Sequence, residues 1–525
     1  MASVGKTGWH DVGGANGDLD IDKSDHAISH WEKEVHVFVL TLIRKGALIL
    51  DELRRGVEGL PPTMRGLTYY ERWAAAITVI QIERGTFTQA ELEAFLGEAL
   101  PPGLIVESAA PKPAEVAVDG ETPSTARFHV GDVVRVKAES SPVPWRKPHL
   151  RTPGYIHGVL GVIERDSQGL FGNPEALAFR QTTAAKQPLY RVRFIMGDVW
   201  EGYRGPEQDT VDIEIYEPWL ILGTAEELAQ QRMDSAQRQV IFNTAVHSTG
   251  LKRGRDEGQD EGHDHGHEDH DHEGHDHGHD HGHVEAGHTH GDGHEHVHEP
   301  RGCVEQNAVD KEGGPEEQER RKVADALRSV LLAKGLITLE ELRVGVESLD
   351  ARGASGAGAR LVAHAWVDAE FKKRLLTDAN AAAGELGVEA SIYPSTGIAP
   401  TPPPDGKLAS KAGLVLTVLE NTPAVHNLVV CTLCSCYPIS VLGLSPSWYK
   451  SRAYRARAVR DPRNLLAEWG THLLEGQSIT VADSTADNRY LVLPMRPTGT
   501  EGWTEEQLQK LVTRDCMVGV AVPHL

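Results

Sequence analysis

Three cysteines stand within six residues of one another, Cys431-Thr-Leu-Cys434-Ser-Cys436, in a chain whose 525 residues contain only five. A disulfide scaffold spaces its cysteines out and pairs them, so this cluster reads as a metal or redox site. The Cys-x-x-Cys-x-Cys spacing gathers three soft donors around one point. Their thiolates suit transition metals and exclude Mg²⁺ and Ca²⁺. Spacing alone leaves several chemistries open. A structural zinc site needs four ligands, typically two separated pairs, and His426 is the only obvious local fourth donor. A thioredoxin-type redox pair would use Cys431 and Cys434 and leave Cys436 without a role. An iron–sulfur cluster needs a fourth cysteine, which Cys516 would have to supply. Cys303 and Cys516 otherwise read as incidental.

A second metal-attracting feature lies upstream, where 15 histidines fall between His263 and His298, interleaved with Asp, Glu and Gly. His263, His265, His267, His275, His277, His279, His281 and His283 are candidate accessory ligands, because neutral imidazoles favour cobalt, nickel, copper and zinc. The tract is in any case a polar, Gly-rich tether that buries no core. Cobalt uptake at limiting cobalt, with and without residues 256–299, separates a reservoir from a plain linker.

The elements that must position the cysteines follow from the pattern around them. Residues 414–419 are strand-like, and Asn427-Leu-Val-Val430 runs into the cluster, so the metal loop follows a buried strand. Residues 25–98 carry apolar side chains at helical spacing, as in 31–43, and 318–390 are helical again. Between them, 127–222 alternates in short segments with Gly-rich turns, which predicts a small antiparallel barrel. Residues 412–525 mix strands and helices. The resulting division is 1–98 helical, 99–126 a Pro-rich linker, 127–235 the barrel, 250–300 the histidine tract, and 316–525 the metal-bearing region, with a shorter Pro-rich break at 400–404. A faint repeat relates Lys45-Gly-Ala-Leu-Ile-Leu-Asp-Glu-Leu-Arg54 to Lys334-Gly-Leu-Ile-Thr-Leu-Glu-Glu-Leu-Arg343. Each is a Gly-broken helix end followed by a helix start. The spacing is too large for a solenoid.

The bulk numbers fit a soluble, multi-unit protein. About 40% of residues are hydrophobic and 25% charged, and the length suggests three or four units. No apolar run reaches the length of a membrane span, and the N-terminus lacks a signal peptide's apolar core, so we read the chain as intracellular, in the cytoplasm. A net charge of −23 argues against a chain-wide nucleic-acid surface. The basic stretch from Lys450 to Arg463 reads as a helix paired with the acidic remainder.

The stretch Val430-Cys-Thr-Leu-Cys-Ser-Cys-Tyr-Pro438 resembles the metal-binding signature of the nitrile hydratase α subunit. The likeness extends over Glu420-Asn-Thr-Pro-Ala-Val-His-Asn427, Leu442-Gly-Leu-Ser-Pro-Ser-Trp-Tyr-Lys-Ser451, Tyr454-Arg-Ala-Arg457 and Asp483-Ser-Thr-Ala-Asp-Asn-Arg-Tyr490. Ile439 departs from it, since the family usually has Trp there. The first half is similar to the β subunit of that family, in His10-Asp-Val-Gly-Gly14, Asp51-Glu-Leu-Arg-Arg-Gly-Val-Glu58, Tyr69-Tyr-Glu-Arg-Trp73, His149-Leu-Arg-Thr-Pro-Gly-Tyr155 and Glu217-Pro-Trp-Leu220.

The resemblance implies an α+β fold. A helical N-terminal region and a small SH3-like β-barrel come first, followed by a layered α/β metal-binding domain with a helical N-terminal arm. It implies one Co³⁺ per chain, iron being the lesser alternative, since Thr432 matches the cobalt form. The implied ligands are Cys431, Cys434, Cys436 and the backbone amides of Ser435 and Cys436. In the family the second and third cysteines, here Cys434 and Cys436, carry sulfinic and sulfenic acid. Arg54 and Arg151 match the arginines that bind those oxygens, and Tyr69 and Trp73 match residues of the substrate pocket. The implied reaction is hydration of a nitrile to an amide by a self-associating enzyme. A thiocyanate hydrolase-like enzyme is the nearest alternative, and a non-catalytic metal-storage or metal-sensing protein using the histidine tract is another.

Overall fold

The first turn of several helices is written into the sequence. In α1 (His30–Arg44) the Glu32 carboxylate accepts the backbone N–H of Ser29 at 3.0 Å, and Val35, Phe38, Val39 and Leu42 bury one stripe. The helix stops at Lys45-Gly46, where Gly46 takes φ +69°. α2 (Leu50–Glu58), α3 (Tyr69–Glu83) and α4 (Gln89–Leu96) complete the helical region. The computed structural model describes residues 11–13, 20–25, 27–64, 66–104, 125–138, 151–182, 184–248, 315–390, 414–484 and 488–525. Most of the Pro-rich linker, the histidine tract, Cys303 and the break near 400 lie outside these. The chain divides into two units, Met1–Asn243 with Glu316–Leu525, and Thr244–Pro315; the site described below lies in the first.

Five strands follow: β1 (Val133–Val136), β2 (Leu160–Phe171), β3 (Gln187–Ile195), β4 (Thr210–Tyr216) and β5 (Leu220–Leu222). They pair antiparallel in the order β5-β1-β2-β3-β4. The expected strands are present, but among the described residues they form no closed barrel. The far edge of β4 instead pairs parallel with β8 (Ser478–Asp483), and β8 with β7 (Val425–Val430), giving a seven-stranded sheet that runs from one half of the sequence into the other. Every residue of β4 is buried although its sequence alternates, because its acidic side chains are paired. Asp212 meets Arg193 at 2.7 Å, and Glu214 accepts from Asn488 at 2.8 Å and from Tyr490 at 2.5 Å. Alternation alone would have assigned β4 one solvated face. β6 (Val415–Glu420) and β9 (Asn488–Leu493) pair parallel as a separate sheet.

The short helices α5 (Pro174–Leu177) and α6 (Met196–Val199) interrupt the strands, and α7 (Ala225–Ser248) follows β5. In the second half, α8 (Pro315–Ala333) and α9 (Leu339–Ala354) form a hairpin, followed by α10 (Ala357–Val367), α11 (Ala369–Thr377) and α12 (Ala379–Glu385). After β7 come α13 (Ile439–Leu442), α14 (Ser447–Lys450), α15 (Arg452–Arg460) and α16 (Pro462–Glu468), and the chain ends in α17 (Glu505–Gln509) and α18 (Arg514–Val518). Two large apolar cores stand out among the described residues. One joins the sheets to α10–α12, α15 and α16. The other joins α1–α4 to the α8–α9 hairpin, with Leu327, Leu331 and Leu342 packed among Phe38, Leu42 and Ile77. In the basic stretch Arg457 meets Glu468 and Arg463 meets Asp209, and Arg455 reaches backbone carbonyls.

Candidate metal centre

The cysteine loop begins where β7 ends. All of β7 after its first residue is buried, so Val430 delivers Cys431 directly into the interior. The loop then turns back on itself through Ser435, whose φ of +64° is one of two positive values among the described non-glycine residues. The three cysteine Sγ atoms lie within 4.8 Å of one another. Cys434 Sγ is 3.7 Å from that of Cys431 and 3.2 Å from that of Cys436. Cys431 and Cys436 are buried and Cys434 is half-buried.

The loop is braced from outside through its own backbone. Arg455 donates to the carbonyls of Cys431 (2.8 Å) and Thr432 (2.7 Å), and the Tyr449 hydroxyl donates to that of Cys436 (2.7 Å). Asp483, at the end of β8, accepts the N–H of Thr432 at 2.8 Å and its hydroxyl at 2.5 Å. From the first half, Tyr155 donates to the same carboxylate at 2.9 Å, and the N–H of Val12 donates to the Thr432 carbonyl at 3.1 Å. Burial raises the Asp483 pKa to about 6 against the effect of those donors.

The donor set fits one soft metal ion. Hydrogen bonds from the neighbouring cysteines, helped by the charges of Arg54 and Arg151, hold the Cys434 thiol well below its usual range, while burial pushes Cys431 up. Among the described residues no His, Asp, Glu or fourth Cys joins the three sulfurs. His426 does not face the cluster as a ligand: its Nε2 is 2.7 Å from the Gly519 carbonyl and its Nδ1 is 3.3 Å from the Asn421 amide. Cys516 contacts Thr513 instead. The four-ligand zinc arrangement through His426 and the four-cysteine cluster through Cys516 are therefore not built.

Two guanidiniums reach the sulfurs from the first half of the chain. Arg54, on α2, places Nη2 3.9 Å from Cys436 Sγ, and Arg151 places Nη1 3.7 Å from Cys434 Sγ. Both are buried, at 6% and 1% exposure. Each is also held by a carboxylate of α2: Arg54 Nη1 lies 2.8 Å from Asp51, and Arg151 Nη2 lies 2.8 Å from Glu58. One guanidinium edge is thus fixed by an acid while another nitrogen points at sulfur. Sequence reasoning missed both acids. Asp51 had a signal in its i,i+3 spacing to Arg54. Glu58 had none, because it stands at i+4 from Arg54 yet pairs with a residue 93 positions away. Arg343, the repeat counterpart of Arg54, is exposed and pairs with Glu340 and Glu347 on its own helix, away from the site.

A cavity opens over the cluster between α2, α3 and the loop. Leu50, Leu53, Val57, Leu433 and Ile439 give it an apolar wall, and Tyr69 and Trp73 line it from α3. Burial raises the Tyr69 pKa, and its ring lies 5.1 Å from that of Trp73. Behind them Lys450 Nζ sits 5.2 Å from the Tyr69 ring and 5.0 Å from the Tyr70 ring, and burial lowers its pKa to about 8. His36, also lining the cavity, is pushed down to about 3 by burial and then by Lys450, so it is neutral in the physiological range. The structure therefore brings together Cys431, Cys434, Ser435, Cys436, Arg54, Arg151, Tyr69 and Trp73. The histidines assigned as accessory ligands lie outside the described residues.

Both halves of the chain match models of one family. Residues 318–521 match the family model for the nitrile hydratase alpha chain, and residues 7–119 and 118–221 match those for the N-terminal and C-terminal parts of the nitrile hydratase beta subunit. A low-molecular weight cobalt-containing nitrile hydratase subunit alpha from Rhodococcus rhodochrous is 49% identical over 198 residues, covering 38% of this chain and 86% of that protein. Thiocyanate hydrolase subunit gamma from Thiobacillus thioparus is 46% identical over 198 residues, covering 38% of this chain and 77% of that protein. A nitrile hydratase subunit beta from Rhodococcus erythropolis is 29% identical over 225 residues, covering 41% of this chain and 97% of that protein. The chain belongs to the nitrile hydratase family and carries that family's β-type and α-type regions, in that order, on one polypeptide.

Proposed function

We propose that this chain hydrates nitriles, R–C≡N + H₂O → R–C(=O)NH₂, with one Co³⁺ held by Cys431, Cys434, Cys436 and the backbone amides of Ser435 and Cys436. The observation that carries this reading is the convergence of three sulfurs within 4.8 Å with two buried guanidiniums supplied by the other half of the chain. Cobalt, when bound, supplies Lewis acidity toward the nitrile or the attacking oxygen. Cobalt is favoured over iron because of Thr432 and because relatives of the metal-bearing region are described as cobalt-containing.

The remaining roles belong to the chain's own residues. Cys434 is proposed to be oxidised to a sulfinic acid and Cys436 to a sulfenic acid by a peroxide-level oxidant, two equivalents for Cys434 and one for Cys436, each transferring one oxygen atom and releasing water, as electron-rich thiolates can be. Arg54 and Arg151 would then donate charge-assisted hydrogen bonds to the sulfur-borne oxygens, with Asp51 and Glu58 fixing each guanidinium. Tyr69 and Trp73 would hold the organic group of the nitrile against the apolar wall. The nucleophile is water or the sulfenate oxygen of Cys436. We further propose that the enzyme self-associates and acts in the cytoplasm; no helix among the described residues is long and apolar enough to cross a membrane.

A second reading, hydrolysis of thiocyanate, draws on the 46% identity of the metal-bearing region to a thiocyanate hydrolase subunit. Turnover of acrylonitrile and of thiocyanate by one preparation decides between them. Amide formation with thiocyanate inert supports nitrile hydration, and the reverse overturns it. The third reading, a non-catalytic metal store, gives no reason for Arg54 and Arg151 to be buried against the sulfurs.

A further inference from the structure

The repeat noted in the sequence has a third copy. After Lys45-Gly46 and Lys334-Gly335, the chain repeats the pattern at Arg84-Gly85-Thr-Phe-Thr-Gln-Ala-Glu-Leu92. Each copy ends one helix and begins the next: α1 to α2, α3 to α4, and α8 to α9. The turns are the same: Gly46, Gly85 and Gly335 take φ of +69°, +68° and +68°. In each copy the glutamate six residues after the glycine accepts a backbone N–H at the start of the second helix: Glu52 from Ile49, Glu91 from Thr88, Glu341 from Thr338. The apolar residue two after each glycine (Leu48, Phe87, Ile337) is buried in one shared core.

The three copies are linked in a closed cycle. The basic residue before each glycine reaches the capping glutamate of another copy. Arg84 pairs with Glu52, Lys334 with Glu91 at 2.5 Å, and Lys45 with Glu341 at 2.8 Å. The helix crossings follow the same order in two of the three steps. Gly56 on α2 packs on α3, where an added Cβ would meet Ile80 at 2.9 Å and Ala76 at 3.0 Å. Gly345, the equivalent position on α9, packs on α1, where a Cβ would meet Val37 at 2.4 Å. The third copy has the exposed Phe95 there instead.

Two copies belong to the β-type region and the third to the α-type region. We propose that the α8–α9 hairpin is a docking key by which the metal-bearing region is seated, and that its partner is the pair of like hairpins α1–α2 and α3–α4. Closing the cycle sets the position of Arg54 against Cys436. Arg54 rides on α2 inside the cycle. On the other side, α9 lies against the residues that follow the cysteine loop: a Cβ on Gly443, just after α13, would stand 2.5 Å from the Gly353 Cα of α9. The cysteines and Arg54 are thus tied to neighbouring members of one ring.

Lys45 and Lys334 make the two ion pairs of the cycle that cross between the regions, beside Lys33 with Asp350, Arg328 with Glu34 and Lys322 with Glu98 outside the cycle, and neither lines the cavity. The test uses the full chain with Lys45→Glu and Lys334→Glu together, and Lys45→Arg and Lys334→Arg together. Amide hydrogen exchange across α8 and α9 is read beside kcat for the proposed nitrile hydration, so the rate arm rests on that function and the exchange arm does not. The reversed variant should lose protection in α9 and lose roughly three- to tenfold in kcat. About 0.5 M salt, with a Debye length of roughly 4 Å, should restore both in the reversed variant. The arginine variant should match the parent. Unchanged exchange in the reversed variant overturns the docking key. Loosened exchange with parental kcat at every salt concentration overturns the positioning of Arg54. A parent without nitrile turnover removes the proposed function and leaves the docking key to be decided by exchange.

Discussion

Replacing Arg151 by methionine separates its electrostatic role from its place in the packing. Its guanidinium is 1% exposed, lies 2.8 Å from Glu58 through Nη2, and points Nη1 at Cys434 Sγ from 3.7 Å. Removing one partner of a buried ion pair costs about 3–5 kcal/mol, because the other charge stays in a low-dielectric site. Glu58 is 5% exposed, so a loss of stability of about 3–5 kcal/mol is expected. The double variant Arg151→Met/Glu58→Leu removes both charges and should regain most of that loss. It should not regain activity. A charge-assisted hydrogen bond to a sulfur-borne oxygen contributes about 1.5–3 kcal/mol, so both variants should turn over roughly ten- to a hundredfold more slowly. Denaturant unfolding and initial rates on acrylonitrile, with metal content measured in parallel, make the comparison. If the double variant recovers parental turnover, Arg151 matters only through its ion pair, and its role toward Cys434 is wrong.

Arg54→Ala should leave the fold intact and lower turnover by a similar factor, checked by circular dichroism and steady-state rates; parental kinetics would remove its role at Cys436. Cys434→Ala or Cys436→Ala should abolish metal retention, measured by elemental analysis, whereas Cys516→Ser should retain it. Glu175 has its pKa pushed up to about 7 by burial. A raised carboxyl pKa means the folded state holds the proton more tightly, so its contribution is full below the unfolded value of about 4.3 and is lost as pH rises through 7. Glu175→Gln should therefore be more stable than the parent above pH 7, by an amount on the order of 1–2 kcal/mol in pH-dependent unfolding. At Gly519, φ is +94° and a Cβ would stand 2.0 Å from the Asn427 carbonyl oxygen on β7. Gly519→Ala should cost about 2–4 kcal/mol of unfolding free energy.

The helices were legible because their capping glutamates, apolar stripes and terminal glycines are local signals. The metal loop was legible because three cysteines at that spacing have few other uses. The arginines were reached by resemblance, and no local pattern distinguishes Arg54 from Arg343 except what their helices pack against. Their carboxylate anchors show the same limit, since Glu58 meets an arginine in a distant segment. The open continuation of the strands was hidden for a related reason. β4 carries an amphipathic pattern, and its acids are buried only because Arg191, Arg193, Asn488 and Tyr490 arrive from elsewhere in the chain. His426 stayed open as a fourth donor in the sequence because its fixation by Gly519 and Asn421 is a tertiary fact.

The central claim is that Cys431, Cys434 and Cys436 hold a catalytic cobalt ion completed by the arginines of the β-type region. Mass spectrometry of the peptide spanning the cluster, with metal content of the intact chain, tests it most directly. The account predicts one cobalt per chain, two added oxygens on Cys434 and one on Cys436. Three unmodified thiols with zinc would contradict it.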